Sequence, residues 1–372
     1  VIELGTSVAH DQLRSDVKIA AIDELRPLRD VVEADGCLSD AVSKALLGIE
    51  VLQDADPGQG SNDAVAFCTA VESLGWGDQS IAYAWMTSRQ VAWILTTCAS
   101  EEQKARHLSR FGDSAITPAS LFLYEGFGRA PGELTSVARR DGDGWILDGE
   151  KTAVAFAGCA EVSVIVARDE EGALIAFVID SEAPEVTFIG EGDRRIALSG
   201  VAIASKAPIR GLRVSADALL YSGSALERAV GVCRLALAAT CLGIADSTTR
   251  YAADWSAQRV AFGRPLAGFQ GVSFVLADLF MEIESTRIGL QDALRVLSDP
   301  SARTLDSEQI DDLVSPIVAQ TSHLLRDAAR EGVELMGVHG VITDHPAESV
   351  FRAAPLLASI DFDPLHNPVV LR

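Results

Sequence analysis

Aromatic residues are scarce in this chain of 372, at 6%, and basic residues are outnumbered: 31 Lys and Arg face 53 Asp and Glu, a formal charge of −22. No Lys/Arg cluster interrupts that acidity. A nucleic-acid partner is therefore not expected, because phosphates need a basic face to neutralise them. An acidic surface also repels anionic ligands at long range, so a phosphate-bearing ligand would need a locally cationic pocket. Uninterrupted apolar runs are short, so neither a membrane-spanning helix nor a membrane partner is expected. The first residues carry no basic patch followed by an apolar stretch, and no secretory signal is expected in them. The six cysteines, at 37, 68, 98, 159, 233 and 241, include no CxxC pair, and the six histidines form no HExxH. That excludes the usual zinc spacings, and no metal site is expected. It leaves thiols in apolar helices of a reducing compartment, read as the cytoplasm.

What is present is enough apolar material, 48% of residues, for two or three domains' worth of core. From about 11 to 112 the apolar spacing is three and four. Ile22, Leu25, Leu28, Val31 and Val32 form one stripe. Ala64, Val65, Cys68, Val71 and Leu74 form another, with Ser61 or Asn62 as N-cap. Residues 79–97 are apolar enough to be buried on most sides. Ser100-Glu101-Glu102 opens a further helix. From about 114 to 222 short strand-like runs alternate with polar turns. Asp141-Gly142-Asp143-Gly144 is a hairpin turn, Val162–Ala167 and Ala173–Ile179 pair across a second turn, and Val186–Ile189 and Leu212–Val214 are further strands. From 223 long helices return: 224–257, 269–297, 307–337 with Pro316 inside, and one that starts at Pro346. The fold class is α+β: an N-terminal helical domain (1–113), an antiparallel β-sandwich or barrel (114–222) and a C-terminal four-helix bundle (223–372).

Three segments carry a family resemblance. Residues 255–278 hold Arg259, Phe262-Gly263, Pro265, Gln270 and Leu276-Ala277-Asp278. Residues 334–352 hold Glu334, Gly337-Val338-His339-Gly340, Pro346 and Phe351-Arg352. Residues 148–151 read Asp148-Gly149-Glu150-Lys151. In that order they resemble the acyl-CoA dehydrogenase family, and the helix–sheet–helix order extends the likeness over nearly the whole chain. The resemblance implies flavin-dependent α,β-dehydrogenation of an acyl thioester, in which a carboxylate takes the α-proton and a hydride passes to flavin N5 of FAD. It implies that Arg259, Phe262 and Gln270 of one subunit touch the dinucleotide held by a neighbour, with Glu334, Gly337 and Val338 beside it. The physics suits this: Arg offers a fork of donors to pyrophosphate, a ring packs on a flat ring system, and a Gly turn lets backbone N–H groups approach phosphate. The implied partners are an acyl-CoA or acyl-carrier-protein thioester and further subunits of a homo- or hetero-oligomer.

The departures are as informative. The family's base is a Glu followed by Gly-Thr; the matching place here is Asp361, followed by Phe362-Asp363. Aspartate is one methylene shorter, which withdraws its oxygens by roughly 1.5 Å. The alternative reading of Asp361 is a surface or capping residue. Some members place the base before an Arg of the first bundle helix; those places hold Cys233 and Arg234. A neutral thiol is a poor base. A guanidinium in an apolar helix needs an anionic partner, and Asp361 is the candidate. Where the family reads Thr-Glu-Pro and then Gly-Ser-Asp, this chain has Tyr124-Glu125-Gly126 and then Arg129-Ala130-Pro131-Gly132. Where a Trp and a Thr face the flavin ring, it has Ala153 and Ala155, with Tyr124 or Phe156 as compensation. The outward motif is intact and the chain's own ring site is eroded. That asymmetry resembles the divergent subunit of bacterial two-subunit members acting on steroid side chains. The alternative to an active enzyme is thus a degenerate subunit or acyl-thioester-binding scaffold that completes a partner's site and lacks its own flavin.

Overall fold

A computed structural model describes residues 7–112, 114–126, 133–180, 185–189, 198–221, 223–299 and 304–362. Helices come first: α1 (Val8–Ala20), α2 (Arg29–Asp35), α3 (Asp40–Gly48), α4 (Leu52–Ala55), α5 (Ala64–Leu74), α6 (Gln79–Cys98), α7 (Glu101–His107) and α8 (Ser109–Gly112). The stripe expected over residues 22–32 is broken. A π turn (Ala21–Leu25) and a 3-10 turn containing Pro27 separate α1 from α2, so the helical period does not run through. Leu25 and Val32 are buried, Val31 is exposed, and Val17 and Ala21 complete the inward face instead. The N-cap of α5 is Asp63 rather than Ser61 or Asn62: its carboxylate accepts from the Ala66 N–H at 2.9 Å. Ser100 and Gln103 form a reciprocal capping box at the start of α7. α6 is buried on nearly every side, and its Arg89 is neutralised by Asp56 at 2.8 Å.

The middle of the chain forms β1 (Ala119–Phe122), β2 (Val137–Asp141), β3 (Gly144–Lys151), β4 (Val154–Ala155), β5 (Val162–Arg168), β6 (Leu174–Asp180), β7 (Ile203–Ala204) and β8 (Ala207–Val214). The main sheet runs β1-β5-β2-β3-β8, with β6 on β5, and β4-β7 pair separately. The hairpins β2-β3 and β5-β6 fall where the turns place them. The sheet is mixed, however: β1-β5 and β2-β5 are parallel, a long-range pairing that local alternation does not reveal. Val186–Ile189 is no strand; Val186 and Ile189 make isolated bridges to Ile209 and Lys206. One face of the sheet encloses Phe122, Trp145, Phe177 and Leu212, and the other joins the helical core.

The chain then returns to helices: α9 (Ser224–Gln258), a small hairpin β9 (Val260–Ala261) and β10 (Arg264–Pro265), α10 (Gln270–Ser298), α11 (Ser307–Met336) and α12 (Pro346–Leu357). α9 is the central strut, packed against α5, α6, α10 and α11. By length and composition it is long and apolar enough to cross a membrane, contrary to the reading from apolar runs, yet its apolar window is wholly buried inside the protein. Pro316 lies inside α11, which continues through it.

Candidate active site

The site begins with one charge inside α9. Arg234 is buried among alanines, leucines and valines of that helix. Its Nε donates to both oxygens of Asp361, at 3.1 and 2.8 Å. Its Nη1 donates to Asp311 at 2.7 Å and its Nη2 to the Ser315 hydroxyl at 2.9 Å, both on α11. Every arm of the fork is thus occupied, as a buried guanidinium requires. Burial opposes the charge on Arg234, but Asp361 and Asp311 outweigh it and hold the group firmly protonated. Asp361 is itself buried, not a surface residue. Burial pushes its carboxyl above the usual range against the pull of Arg234, with Asp311 adding like-charge repulsion. Cys233, the neighbouring candidate, is a buried thiol pushed well above its ordinary value by desolvation, and its Sγ lies 3.6 Å from the Gln90 carbonyl. It is neutral and cannot serve as a base.

Beside this pair lies a small cavity of about 10 Å³, room for about one water, lined on α6 by Tyr83, Met86, Thr87 and Gln90 and closed by Leu121, Tyr124, Ala153, Ala155, Leu237 and Ile360. Leu237 is nearly one turn from Arg234, and Ile360 precedes Asp361. A second, narrow cleft of about 30 Å³ runs past Arg168, Glu227, Val230, Ser307 and Asp311 to Arg234 itself.

The wall opposite is strained and anchored. Ala153 and Phe156 have φ of 53° and 55°, the left-handed region that side chains avoid, and both are buried. Phe156 thus lies inside the protein, close to where compensation for a lost aromatic would be needed. Thr152 N–H donates to the Tyr124 carbonyl at 2.8 Å. The anchor is a pair that sequence reasoning missed. Lys151, 0% exposed, donates to Glu125 at 2.8 Å. Glu125 also accepts from the Thr135 N–H and hydroxyl and the Ser136 N–H, at 2.6, 2.7 and 3.1 Å. Although desolvation opposes it, Lys151 and these donors hold Glu125 down at about 2, while burial brings Lys151 down to about 8. The signal was a Lys in a strand beside Gly149 with a Glu in the preceding motif; alternation alone would not assign both to the interior. Tyr124 and Thr152 each bury a hydroxyl with no hydrogen-bond partner. Arg129, Ala130, Pro131, Gly132 and Asp363 lie outside the described residues.

The other candidates sit on the outside. Arg259 caps the C-terminus of α9, Phe262 tips the β9-β10 hairpin and Gln270 opens α10. All three are exposed, Phe262 at 96% with φ of 52°. Glu334, Gly337 and Val338 are exposed at the end of α11. Gly337 has φ of 60° and open space where a Cβ would stand, so its backbone is accessible to a ligand. The two motif segments meet through rings: Trp255 of α9 lies 4.8 Å from His339, and the Tyr251 hydroxyl is 2.8 Å from His345 Nδ1. None of the six side chains or backbones turns into the core. The chemistry of this face, a guanidinium, a ring, an amide and an open Gly turn, suits a dinucleotide with a charged pyrophosphate and a flat ring.

Comparison with known proteins places the chain by sequence and fold. Residues 7–114 match the model described as "Acyl-CoA dehydrogenase, N-terminal domain" and residues 223–361 the one described as "Acyl-CoA dehydrogenase, C-terminal domain". The human mitochondrial short-chain specific acyl-CoA dehydrogenase is 24% identical over 357 residues, 93% of this chain and 84% of the relative. Among solved structures, glutaryl-CoA dehydrogenase from Mycobacterium smegmatis in complex with FADH2 superposes with a TM-score of 0.77 at 21% identity, covering 96% of this chain and 91% of that one. The prolyl acyl carrier protein oxidase AnaB superposes at 0.76 with 20% identity, covering 96% of each.

Proposed function

Since the chain belongs to the acyl-CoA dehydrogenase family of oxidoreductases, we propose that it is a flavin-dependent dehydrogenase of an acyl thioester, working in an oligomer, with Asp361 as the base. The observation that carries this reading is the Arg234–Asp361 pair: a carboxylate buried beside an apolar cavity, oriented by a guanidinium and with its pKa raised. A base with a raised pKa keeps more driving force for taking a weakly acidic proton. FAD, when bound, supplies the acceptor for the hydride that leaves Cβ. The residues that would hold it are Arg259, Phe262 and Gln270 of one subunit against the dinucleotide of the next, with Glu334, Gly337 and Val338 beside it. The buried, unpartnered hydroxyls of Tyr124 and Thr152 are further groups that such a ligand would satisfy. The cleft along Arg168, Glu227 and Ser307 is the entry for the carrier arm, from coenzyme A or a carrier protein. Cysteines without disulfides suit a reducing compartment such as the cytoplasm.

A second reading has its own observation. Ala153 and Ala155 offer a flavin ring no side-chain donor, while the outward face is complete. On that reading the chain is the partner subunit that closes another chain's flavin site. The absorbance spectrum of the purified protein separates the two. A flavin band that bleaches on adding an acyl-CoA, and fails to bleach in Asp361→Asn, supports the first. A colourless chain that raises the flavin occupancy of a co-expressed homologue supports the second, and a colourless chain without such an effect sinks both.

A further inference from the structure

We infer that the cleft where the C-terminal end of α6 meets the first turns of α9 binds a short aliphatic monocarboxylate, with Arg228 as its counter-ion and the Trp93 indole N–H as a second donor. The site is separate from the Arg234–Asp361 pair and does not depend on the dehydrogenase reading.

Space comes first. The cleft holds about 360 Å³, the scale of a small-molecule site, against about 30 and 10 Å³ for the two cavities near Arg234. At about 100° per residue, Ala225, Arg228, Ala229 and Val232 share one face of α9. Glu227, Val230, Gly231 and Arg234, which border the narrow cleft, share the opposite face. The two openings therefore lie on either side of the helix. The register across α6 and α9 brings the two donors together. The Gln90 amide donates to the Cys233 carbonyl at 2.7 Å, and the Cys98 carbonyl accepts from the Tyr221 N–H at 2.8 Å. The helices thus run antiparallel, and between those points Trp93 comes level with Arg228.

The fold leaves both donors over. Arg228 Nη1 and Trp93 Nε1 are buried with no hydrogen-bond partner, and among the described residues no carboxylate pairs with Arg228. Trp93 is 5% exposed and its ring is stacked on Phe67 at 6.0 Å, so it is fixed before a ligand arrives. The hydroxyls beside it are committed, Thr96 to the Pro57 carbonyl at 3.0 Å and Thr97 to the Trp93 carbonyl at 2.7 Å. Unpaired donors call for an acceptor, and the guanidinium calls for a negative one. Water can accept from an indole but brings no counter-charge. In a chain of charge −22, a cation in a cleft without its own anion is a local exception. The size of the charge is limited by Asp299, exposed at the rim with an interaction of its own, which repels a second negative charge. Ala64, Ala229, Val232 and Leu297 supply a buried aliphatic floor. One negative charge on a short alkyl chain meets all of these.

The test is calorimetric titration of the full chain, with any subunit that co-purifies, at constant ionic strength. The probes are sodium butyrate, the neutral butyramide and inorganic phosphate. Butyrate is expected to bind wild type at millimolar concentration or below, and more tightly than either of the others. Arg228→Gln weakens butyrate on the order of 10- to 100-fold and removes its advantage over butyramide, as expected for a bond to a charged group. Trp93→Phe, which keeps a ring on Phe67, weakens it about tenfold and carries the test should Arg228→Gln fail to fold. Asp361→Asn leaves butyrate binding unchanged. Equal butyrate affinity in wild type and Arg228→Gln overturns the inference, and so does the absence of binding at millimolar butyrate. Binding that survives Arg228→Gln and is lost in Asp361→Asn assigns the acid to the other side of α9 and also overturns it. Phosphate binding more tightly than butyrate overturns the assignment to a carboxylate.

Discussion

Arg234 Nε reaches both carboxylate oxygens of Asp361 across 127 residues of sequence, and the same guanidinium also holds Asp311. Two carboxylates share one cation, and the one in the interior has its pKa raised by burial. A base acts when deprotonated, so kcat/KM is expected to rise with pH through an apparent pKa above the ordinary carboxylate value of 3.8. For stability the sign is opposite. The folded state binds this proton more tightly than the unfolded chain does, so the contribution of Asp361 falls as pH climbs from 3.8 through the raised value. Asp361→Asn abolishes turnover and costs about 3 kcal/mol, the lower end for breaking a buried pair, because Asp311 and Ser315 still hold Arg234. A pH–rate profile of wild type and thermal melts of both proteins across pH check this.

The Lys151–Glu125 pair predicts an asymmetry. Lys151→Met leaves Glu125 with three donors, from Thr135 and Ser136, and costs about 1–3 kcal/mol. Glu125→Gln leaves a buried ammonium with the Leu123 carbonyl at 3.4 Å and no anion, and costs about 3–5 kcal/mol. The double variant is less destabilised than the sum of the two, as urea unfolding of the four proteins would show. The carboxylate titrates at about 2 when folded against 4.5 as a free side chain, so its stabilisation is complete above 4.5 and lost as pH falls toward 2.

The sequence carries the helices legibly because their signals are local. Ser100 with Gln103, Pro346 at a first turn and the apolar run of α9 need no distant partner to be read. The Asp141–Gly144 turn is equally local. What local pattern could not supply was pairing at long range: β1 with β5, or Lys151 with Glu125. The break in the first stripe had a local signal in Pro27, but apolar spacing alone reads across it, and neither a π turn nor a 3-10 turn has a strong composition of its own. At the site, Arg234 could be paired with Asp361 in advance because a guanidinium in an apolar helix demands an anion. Asp311 and Ser315 were not foreseen, since on an amphipathic helix an Asp reads as solvated. Tyr124 was legible as a departure from a motif; that its hydroxyl is left unpaired is visible only in three dimensions.

Phe262 separates folding from assembly. Its ring is 96% exposed, so Phe262→Ala shifts stability by no more than about 0.5 kcal/mol. Its φ of 52° costs a side chain and not a glycine, so Phe262→Gly stabilises the hairpin or leaves it unchanged. Both variants are expected to lose flavin, or the oligomer that retains it, to the same degree. Differential scanning calorimetry together with flavin absorbance after gel filtration would show this. A fall in Tm with flavin retained would place the ring in the fold rather than at a neighbour's cofactor.

Gly243 marks a close approach of α9 to α5. A Cβ there would stand 1.8 Å from the Glu72 carbonyl oxygen, which is backbone and cannot swing aside. Glu72 is fixed further because its side chain accepts from Arg287 Nε at 2.6 Å, and Arg287 also donates to Asp246 at 2.6 Å. Separating the helices would disturb that buried trio as well as the packing. Alanine gains about 1 kcal/mol over glycine in helix propensity, but overpacking a tight contact costs typically 1–3 kcal/mol and here acts on two anchored helices. Gly243→Ala is therefore expected to lower the Tm. Gly271, near the start of α10, is the control: nothing lies within 4 Å of a Cβ there, so Gly271→Ala raises stability by about 0.5–1 kcal/mol. Opposite signs from the same substitution in two helices, read by thermal melts side by side, would show that close approach rather than propensity explains the glycine in α9.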